Sequence, residues 1–255
     1  MSNDPYRALS GGYSTHRRPD PRIAALISRA LGDAETVLNV GAGTGSYEPD
    51  DRVVLAVEPS ATMLAQRPTH AAPAVQATAE ALPVADHAVD AALAILTVHH
   101  WTDPGAGLAE LVRVARRQVV LTWDPHLFAS SLWLVHEYLP EIGHREADLA
   151  CLNTVTTYLR QLQPRVDVIP IPVPADCTDG FLGAYWNRPH AYLDPALRAA
   201  ASGLAALPAE VTDPAINRLT HDLATGRWHN LHRELLNRAD LDVGYRLVVA
   251  DAQPD

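Results

Sequence analysis

The sequence predicts an α/β protein built on a doubly wound, mostly parallel sheet. Short apolar strand signals alternate with helix signals through the first half of the chain. The run at 89–98 is apolar along most of its length, as expected for a strand covered on both faces. A glycine-rich turn directly follows the first strand, and open α/β sheets bind their ligands at such turns.

Five strands are predicted in this first half, because β-branched and apolar runs are bounded by turn residues. They cover 36–40, 52–57, 73–77, 89–98 and 118–123. Helical spacing of apolar residues precedes the first strand and stops at Gly32. Asp103 followed by Pro104 is a favourable helix start before the fifth strand.

The second half has mainly helical spacing, over 127–163 and 180–238. Between these ranges, 165–174 is predicted as an edge strand, because its three prolines cannot donate to a central ladder. Residues 244–252 are predicted as the last of seven strands. The expected organisation is therefore a core over 1–125, a helical lid over 126–240 that includes the edge strand, and a closing strand within 241–255.

Composition excludes several classes of protein. The 255 residues carry a formal net charge of −10 and no dense basic cluster, which argues against nucleic acid as a partner. The longest apolar run is too short to span a membrane. Cys151 and Cys177 lack metal or redox spacing. The sequence shows no signal-peptide pattern, so we expect a cytoplasmic protein. We expect it to be a monomer or a homodimer.

The stretch "VLNVGAGTGSYEP" at 37–49 has three alternating glycines. It is not a P-loop, since no lysine follows the last glycine. A dinucleotide fingerprint would place a third glycine where Ser46 stands. Glu58 ends the second strand 17 residues after Gly41, where a carboxylate can accept both hydroxyls of a ribose. A nicotinamide-dependent oxidoreductase remains the less favoured alternative.

Four ordered motifs between residues 13 and 125 make the resemblance specific. They are "NVGAGTGSY", "VEPS..M", "AEALPVADHAVDAAL" and "LTVHHW". Together they resemble the motifs of class I S-adenosylmethionine-dependent methyltransferases with a Rossmann-like sheet. Within that class they resemble the branch of ubiquinone/menaquinone and many small-molecule methyltransferases.

The resemblance implies how the chain would hold S-adenosylmethionine and release S-adenosylhomocysteine. The glycine turn would approach the methionine part, Arg18 its carboxylate, and Glu58 the ribose. Thr78 stands where the family often has an aspartate for the adenine amino group. The implied contacts are Tyr13, Arg18, Gly41, Ala42, Gly43, Gly45, Glu58, Pro59, Met63, Thr78, Ala79, Glu80, Leu96 and Thr97.

The implied reaction is in-line (SN2) methyl transfer to a small molecule, an EC 2.1.1 type activity. His99 and His100 follow the fourth strand and are the candidate catalytic bases, although a structural hydrogen-bonding role is the alternative. The acceptor pocket is predicted to include His99, Trp123, His126, Tyr185 and Trp186. These aromatic side chains could instead form the core of the helical segment.

One further function and one expectation about metals follow from the residues. A protein that binds S-adenosylmethionine without transferring its methyl group would carry the same motifs. No metal site is expected, because His229 and His232 have helical i, i+3 spacing but no third ligand.

Overall fold

The structure is a computed structural model that describes residues 18–252. Tyr13, a predicted cofactor contact, lies outside them. The strands of this part of the chain are β1 (Thr36–Val40), β2 (Val53–Val57), β3 (Ala74–Val75), β4 (Val89–Ile95), β5 (Ala115–Trp123), β6 (Arg165–Pro170), β7 (Val173–Pro174), β8 (Asp240–Leu241) and β9 (Tyr245–Asp251). Seven of these nine strands form one sheet, in the order β3-β2-β1-β4-β5-β9-β6.

The sheet is mostly parallel, as predicted. Strands β1 to β5 pair in parallel, whereas β9 runs antiparallel between β5 and β6. The strand order reverses between β1 and β4, and doubly wound folds bind ligands at the carboxyl ends of the strands at this point.

The proline-rich segment forms the edge strand β6, which confirms that expectation. The segment breaks at Ile171, and β7 pairs with β8 in a separate two-stranded sheet. Because β6 pairs with β9, it belongs to the main sheet even though the expected lid range included it. The predicted domain ranges themselves stay a prediction.

Ten α-helices connect the strands within residues 18–252. They are α1 (Pro21–Leu31), α2 (Ala61–Ala65), α3 (Pro104–Val114), α4 (Pro125–Ser131), α5 (Pro140–Ala147), α6 (Leu152–Leu162), α7 (Pro195–Ala200), α8 (Ser202–Ala205), α9 (Ala209–Ala224) and α10 (Arg227–Leu231). Helix α3 begins as predicted, with Asp103 as its cap and Pro104 after it. Asp124 and Pro125 start α4 in the same way. None of these helices is long and apolar enough to cross a membrane.

Helices cover both faces of the sheet, and each face has its own core. On one face, the stripe of α1 packs with inward residues of β1 and β4, such as Val37 and Leu93. On the other, α3 and α6 pack over Leu38 and Val120. The alternation along these strands explains their apolar character on both faces.

Helices and short helical turns make up most of the chain between β7 and β8, and they pack around buried aromatic rings. Trp133, which precedes β6, lies edge-on to Trp228 and to Tyr192 of this segment, with ring centroids 5.0 and 5.6 Å apart. Trp186 is fully buried, and its Nε1 donates to the carbonyl oxygen of Val173 at 2.9 Å. Aromatic packing of this kind stabilises the segment as a unit. Its role as a lid remains a prediction.

Asp20 ties the start of α1 to this later segment. Its Oδ1 accepts a hydrogen bond from Nε of Arg22 at 2.9 Å, and its Oδ2 accepts one from the backbone N–H of Thr178 at 3.1 Å. Burial alone would raise the pKa of Asp20, but the Arg22 and Thr178 hydrogen bonds outweigh it and hold that pKa well below its usual value.

Candidate active site

The glycine turn adopts a conformation that only glycine takes easily. Gly41, Gly43 and Gly45 have φ angles of 68°, 52° and 97°. The backbone N–H groups of Gly41 and Ala42 both donate to the carbonyl oxygen of Val57, which folds the turn over the end of β2. A Cβ on Gly41 would overlap the hydroxyl of Thr97. The turn therefore lies against the end of β4 with no room for a side chain.

Glu58 is buried at the tip of β2, with 4% of its surface exposed. Its Oε2 accepts from the backbone N–H of Gly43 at 2.8 Å, and its Oε1 accepts from that of Ser60 at 2.8 Å. These bonds fix the carboxylate and join the glycine turn to the start of α2. Each carboxylate oxygen can accept further hydrogen bonds, so Glu58 can still bind a ribose.

An ion pair supports the turn from behind. Nη2 of Arg67 lies 2.7 Å from Oε1 of Glu48, and both side chains are over nine-tenths buried. Arg67 also donates to the carbonyl oxygen of Gly43 at 3.2 Å, and Asn39 donates to Glu48 at 3.2 Å. A Cβ on Gly45 would lie 3.0 Å from Oε2 of Glu48. Sequence reasoning missed this support, because an Arg and a Glu 19 residues apart carry no local signal.

The predicted adenine side also converges on the cavity. The methyl carbon of Met63 lies 3.6 Å from where a Cβ of Gly43 would be, so its side chain packs beside the turn. Glu80 accepts hydrogen bonds from the backbone N–H groups of Thr102 and Asp103, at 2.8 and 3.1 Å. Its carboxylate therefore fixes the loop that precedes α3.

The end of β4 turns sharply into the cavity. Leu96 has a φ of 49°, in the left-handed region that is strained for a residue other than glycine. Backbone strain of this kind concentrates at functional sites. Thr97 and the short 3₁₀ turn of 98–100 follow it. The ring centroids of His99 and His100 are 3.8 Å apart, and His99 lies edge-on to Trp123 at 4.7 Å.

Both histidines are held neutral. Burial lowers the pKa of His99 well below its usual value, and His100 and Arg145 contribute in the same direction. His100 has surface open to the cavity but lies among protein atoms, and burial followed by the charge of Arg145 lowers its pKa to about 4. A neutral imidazole can accept a proton, but one with this pKa is a weaker base than the sequence prediction assumed. Catalysis by either histidine stays a prediction.

One continuous cavity of about 1160 Å³ contains these groups. We call the part lined by residues 39–102 the turn half and the part lined by residues 123–245 the aromatic half. Single ligand pockets usually measure about 300–1,000 Å³, so this cavity is larger than the usual pocket for one ligand. Among the predicted cofactor contacts that the structure describes, all but Arg18 and Gly45 line the turn half.

The aromatic half is walled by rings from four different segments. Trp123 ends β5 and Tyr245 begins β9, and the two are paired neighbours in the sheet. The ring centroids of Phe181 and Phe128 lie 4.7 and 5.9 Å from that of Tyr245. Arg145, Glu146 and the stretch 200–203 line the same half. Of these groups, only Trp123 was a predicted pocket residue.

Besides Gly45, four predicted contacts of the described residues lie away from the cavity lining. Arg18 and His126 are exposed. Trp186 packs in the aromatic core of the helical segment, and the ring of Tyr185 stacks 4.8 Å from the guanidinium of Arg188. The last two are therefore core side chains, which was the alternative interpretation.

Metal-binding groups do not converge within residues 18–252, where no cluster of three His, Cys, Asp or Glu residues is present. His232 instead lies 3.3 Å from a carboxylate oxygen of Glu137. His229 lies beside the ring of Trp228, with their centroids 5.3 Å apart.

Comparison with known proteins identifies the family. Proteins named uncharacterized methyltransferases, from Mycobacterium tuberculosis and Mycobacterium bovis, are 30% identical over 231 residues, which cover 86% of this chain and 83% of theirs. The chain belongs to the methyltransferase family. A model described as "Methyltransferase domain" also matches residues 38–122 of this chain.

Solved structures agree with this assignment. A "putative methyltransferase from antibiotic biosynthesis pathway" of Anabaena variabilis superposes with a TM-score of 0.81 at 29% identity, covering 92% of this chain and 98% of that one. The YcgJ protein of Bacillus subtilis shares the fold alone, with a TM-score of 0.52 at 17% identity and coverage of 91% and 98%. The methyltransferase therefore has the Rossmann-like sheet of class I. Its subtype within that class stays a prediction.

Proposed function

We propose that this methyltransferase uses S-adenosylmethionine to methylate a small molecule that binds in the aromatic half of the cavity. The observation that carries the proposal is the continuity of the cavity. The glycine turn, Glu58 and the side chains of the aromatic half all line the same cavity. Two molecules bound in adjoining halves would meet near Leu96, Thr97 and His99.

The residues of the turn half fit S-adenosylmethionine. The cofactor supplies a methyl group on a sulfonium, which a nucleophile displaces in line. Gly41 and Gly43 bring the backbone of the turn to the cavity for its methionine part, Glu58 offers fixed acceptors for its ribose, and Met63 offers a thioether to its adenine. Thr78 is exposed at the cavity, where its hydroxyl oxygen would accept from the adenine amino group.

The chain's own contribution is orientation and exclusion of water. Holding two reactants at near-attack distance can supply about 7–11 kcal/mol of the barrier. The helical segment after β7 would act as a lid, because Phe181, Leu182 and residues 200–203 wall the aromatic half. Such enclosure suits a small acceptor better than a protein or nucleic acid.

Calorimetric titration tests the cofactor assignment first. S-adenosylmethionine and NAD are titrated separately into the protein, and we expect micromolar binding of S-adenosylmethionine alone. Labelled methyl transfer to a panel of small hydroxyl, amine and carbon acceptors then tests the reaction. Binding without transfer to any acceptor would favour a protein that keeps the cofactor for another purpose. Binding of NAD alone would overturn the proposal.

A further inference from the structure

Glu146 is a buried carboxylate that the assigned cofactor contacts do not use. It lies on α5, lines the aromatic half of the cavity, and exposes 9% of its surface. The described residues supply no hydrogen bond or ion pair to its carboxylate. At its backbone, the carbonyl oxygen accepts from the N–H of Leu149 at 3.3 Å and from Sγ of Cys151 at 3.7 Å.

The surroundings of this carboxylate are apolar. A Cβ added to Gly203 would lie 3.2 Å from Oε1 of Glu146. The same Cβ would lie 2.9 Å from Leu182 and 3.9 Å from Ile142. The absence of a side chain at Gly203 therefore makes room for the carboxylate at the cavity wall. Burial raises the pKa of Glu146 to about 7, although the charge of Arg145 acts in the opposite direction.

An unpaired carboxylate in an apolar wall is costly, and a ligand that donates to it removes that cost. An O–H or N–H group satisfies it, whereas an ether, an ester or an alkene carbon does not. Arg145 is exposed at the cavity and cannot substitute, because it makes no ion pair with Glu146 within residues 18–252. No group within residues 18–252 supplies the missing donor, and a molecule bound beside the carboxylate can supply it.

We propose that Glu146 recognises the acceptor through a hydroxyl or amine group and takes the proton from that group, so that methylation occurs on oxygen or nitrogen. This inference rests on the proposed function. The O–H or N–H bond breaks and leaves its electron pair on the acceptor atom, while the proton binds a carboxylate oxygen of Glu146. A lone pair of the acceptor oxygen or nitrogen forms the bond to the methyl carbon. The sulfur of the cofactor retains the electron pair of the broken S–C bond.

Binding of matched probes tests recognition without requiring turnover. The pair is 2-naphthol, which donates a hydrogen bond, and 2-methoxynaphthalene, which does not. Both are titrated calorimetrically into the protein, with and without S-adenosylhomocysteine. We expect the protein to prefer 2-naphthol by about 10- to 100-fold, the range for a hydrogen bond to a charged group.

Three variants complete the test. Glu146→Leu should abolish the preference, and the isosteric Glu146→Gln, which keeps an acceptor oxygen, should reduce it in a variant of nearly unchanged shape. Glu141→Gln, on the exposed surface of the same helix, is the matched control and should keep it. Equal affinity for both probes, binding of neither, or a preference that survives in Glu146→Leu overturns the inference.

Turnover separates this inference from the proposed function. With an oxygen or nitrogen acceptor, Glu146→Gln should lower kcat by about 100-fold or more, within the usual contribution of a positioned base, and leave the Kd of S-adenosylmethionine unchanged. If the wild-type protein transfers methyl to a carbon acceptor, or Glu146→Gln keeps its kcat, the inference fails while the proposed function stands. If the wild-type protein does not bind S-adenosylmethionine, the proposed function fails first.

Discussion

Replacing Glu146 by Gln should stabilise the protein at alkaline pH. Burial raises the pKa of this carboxyl from the ordinary value of 4.5 to about 7, so the folded protein holds the carboxylate at a cost once it ionises. Each unit of pKa corresponds to about 1.36 kcal/mol, which gives a cost of about 3 kcal/mol when both folded and unfolded states are ionised. Glutamine has the same shape and carries no charge to bury.

The pH dependence follows from the sign of the shift. Below pH 4.5 both states are protonated and the carboxyl costs nothing. As the pH rises through about 7 the folded state also ionises, and the full penalty is reached. The free energy of unfolding of Glu146→Gln should therefore exceed that of the wild type by about 1 kcal/mol at pH 5.5 and about 3 kcal/mol at pH 8.5.

Urea unfolding at these two pH values measures the difference. The control is Glu141→Gln, whose carboxylate is exposed on the same helix, and it should show little change between the two conditions. Equal stability of Glu146→Gln and the wild type at pH 8.5 would refute the argument. It would mean that solvent in the cavity hydrates the carboxylate.

The remaining predictions concern the turn half and the α1 junction. Glu58→Gln should weaken binding of S-adenosylmethionine by about 10- to 100-fold in calorimetry. The amide nitrogen of the glutamine cannot accept a hydrogen bond, and it would face the backbone N–H of Gly43 or Ser60. Gly41→Ala should lower the free energy of unfolding by about 1–3 kcal/mol, because φ is 68° and the new methyl group meets Thr97. Asp20→Asn should cost about 1.5–3 kcal/mol at pH 7 in urea unfolding. This loss should shrink as the pH falls through the unfolded pKa and then the lower folded one, since protonation removes the charge from the wild type as well.

Each of these has a contradicting result. Unchanged affinity in Glu58→Gln would exclude the ribose contact. Wild-type stability in Gly41→Ala would mean that the turn moves away from β4 without cost. If the Asp20→Asn loss is the same at pH 7 and at acidic pH, the hydrogen bonds of Arg22 and Thr178 do not depend on the charge of the carboxylate.

The turn half could be predicted from sequence because its parts are local. The glycines, Glu58 and Met63 follow strands at short distances, and the sheet brings strand ends together. The alternation of strands and helices likewise gave the mostly parallel seven-stranded sheet. Several bounds changed at ends, as where β4 stops at Ile95 because Leu96 turns into the left-handed region. The predicted strand over 165–174 instead divides into β6 and β7.

The aromatic half could not be predicted in the same way. Tyr245 reaches the cavity because β9 runs antiparallel to β5, which places the start of one strand beside the end of the other. Glu146 lies in a helix whose composition is typical of a solvated surface, and it is buried where Leu182 and Gly203 pack beside it, far away in sequence. By contrast, Tyr185 and Trp186 are conspicuous in the sequence and serve the core of the helical segment.

The cavity lining comes from two separate stretches of the chain. The turn half comes from residues 39–102, the family model ends at residue 122, and the aromatic half begins at Trp123. Under the proposed function, mutations in the later stretch would change the acceptor while the cofactor site is inherited intact. For laboratory evolution, a library for new acceptors would then be confined to residues 123–245, with binding of S-adenosylmethionine as the common background against which every variant is scored.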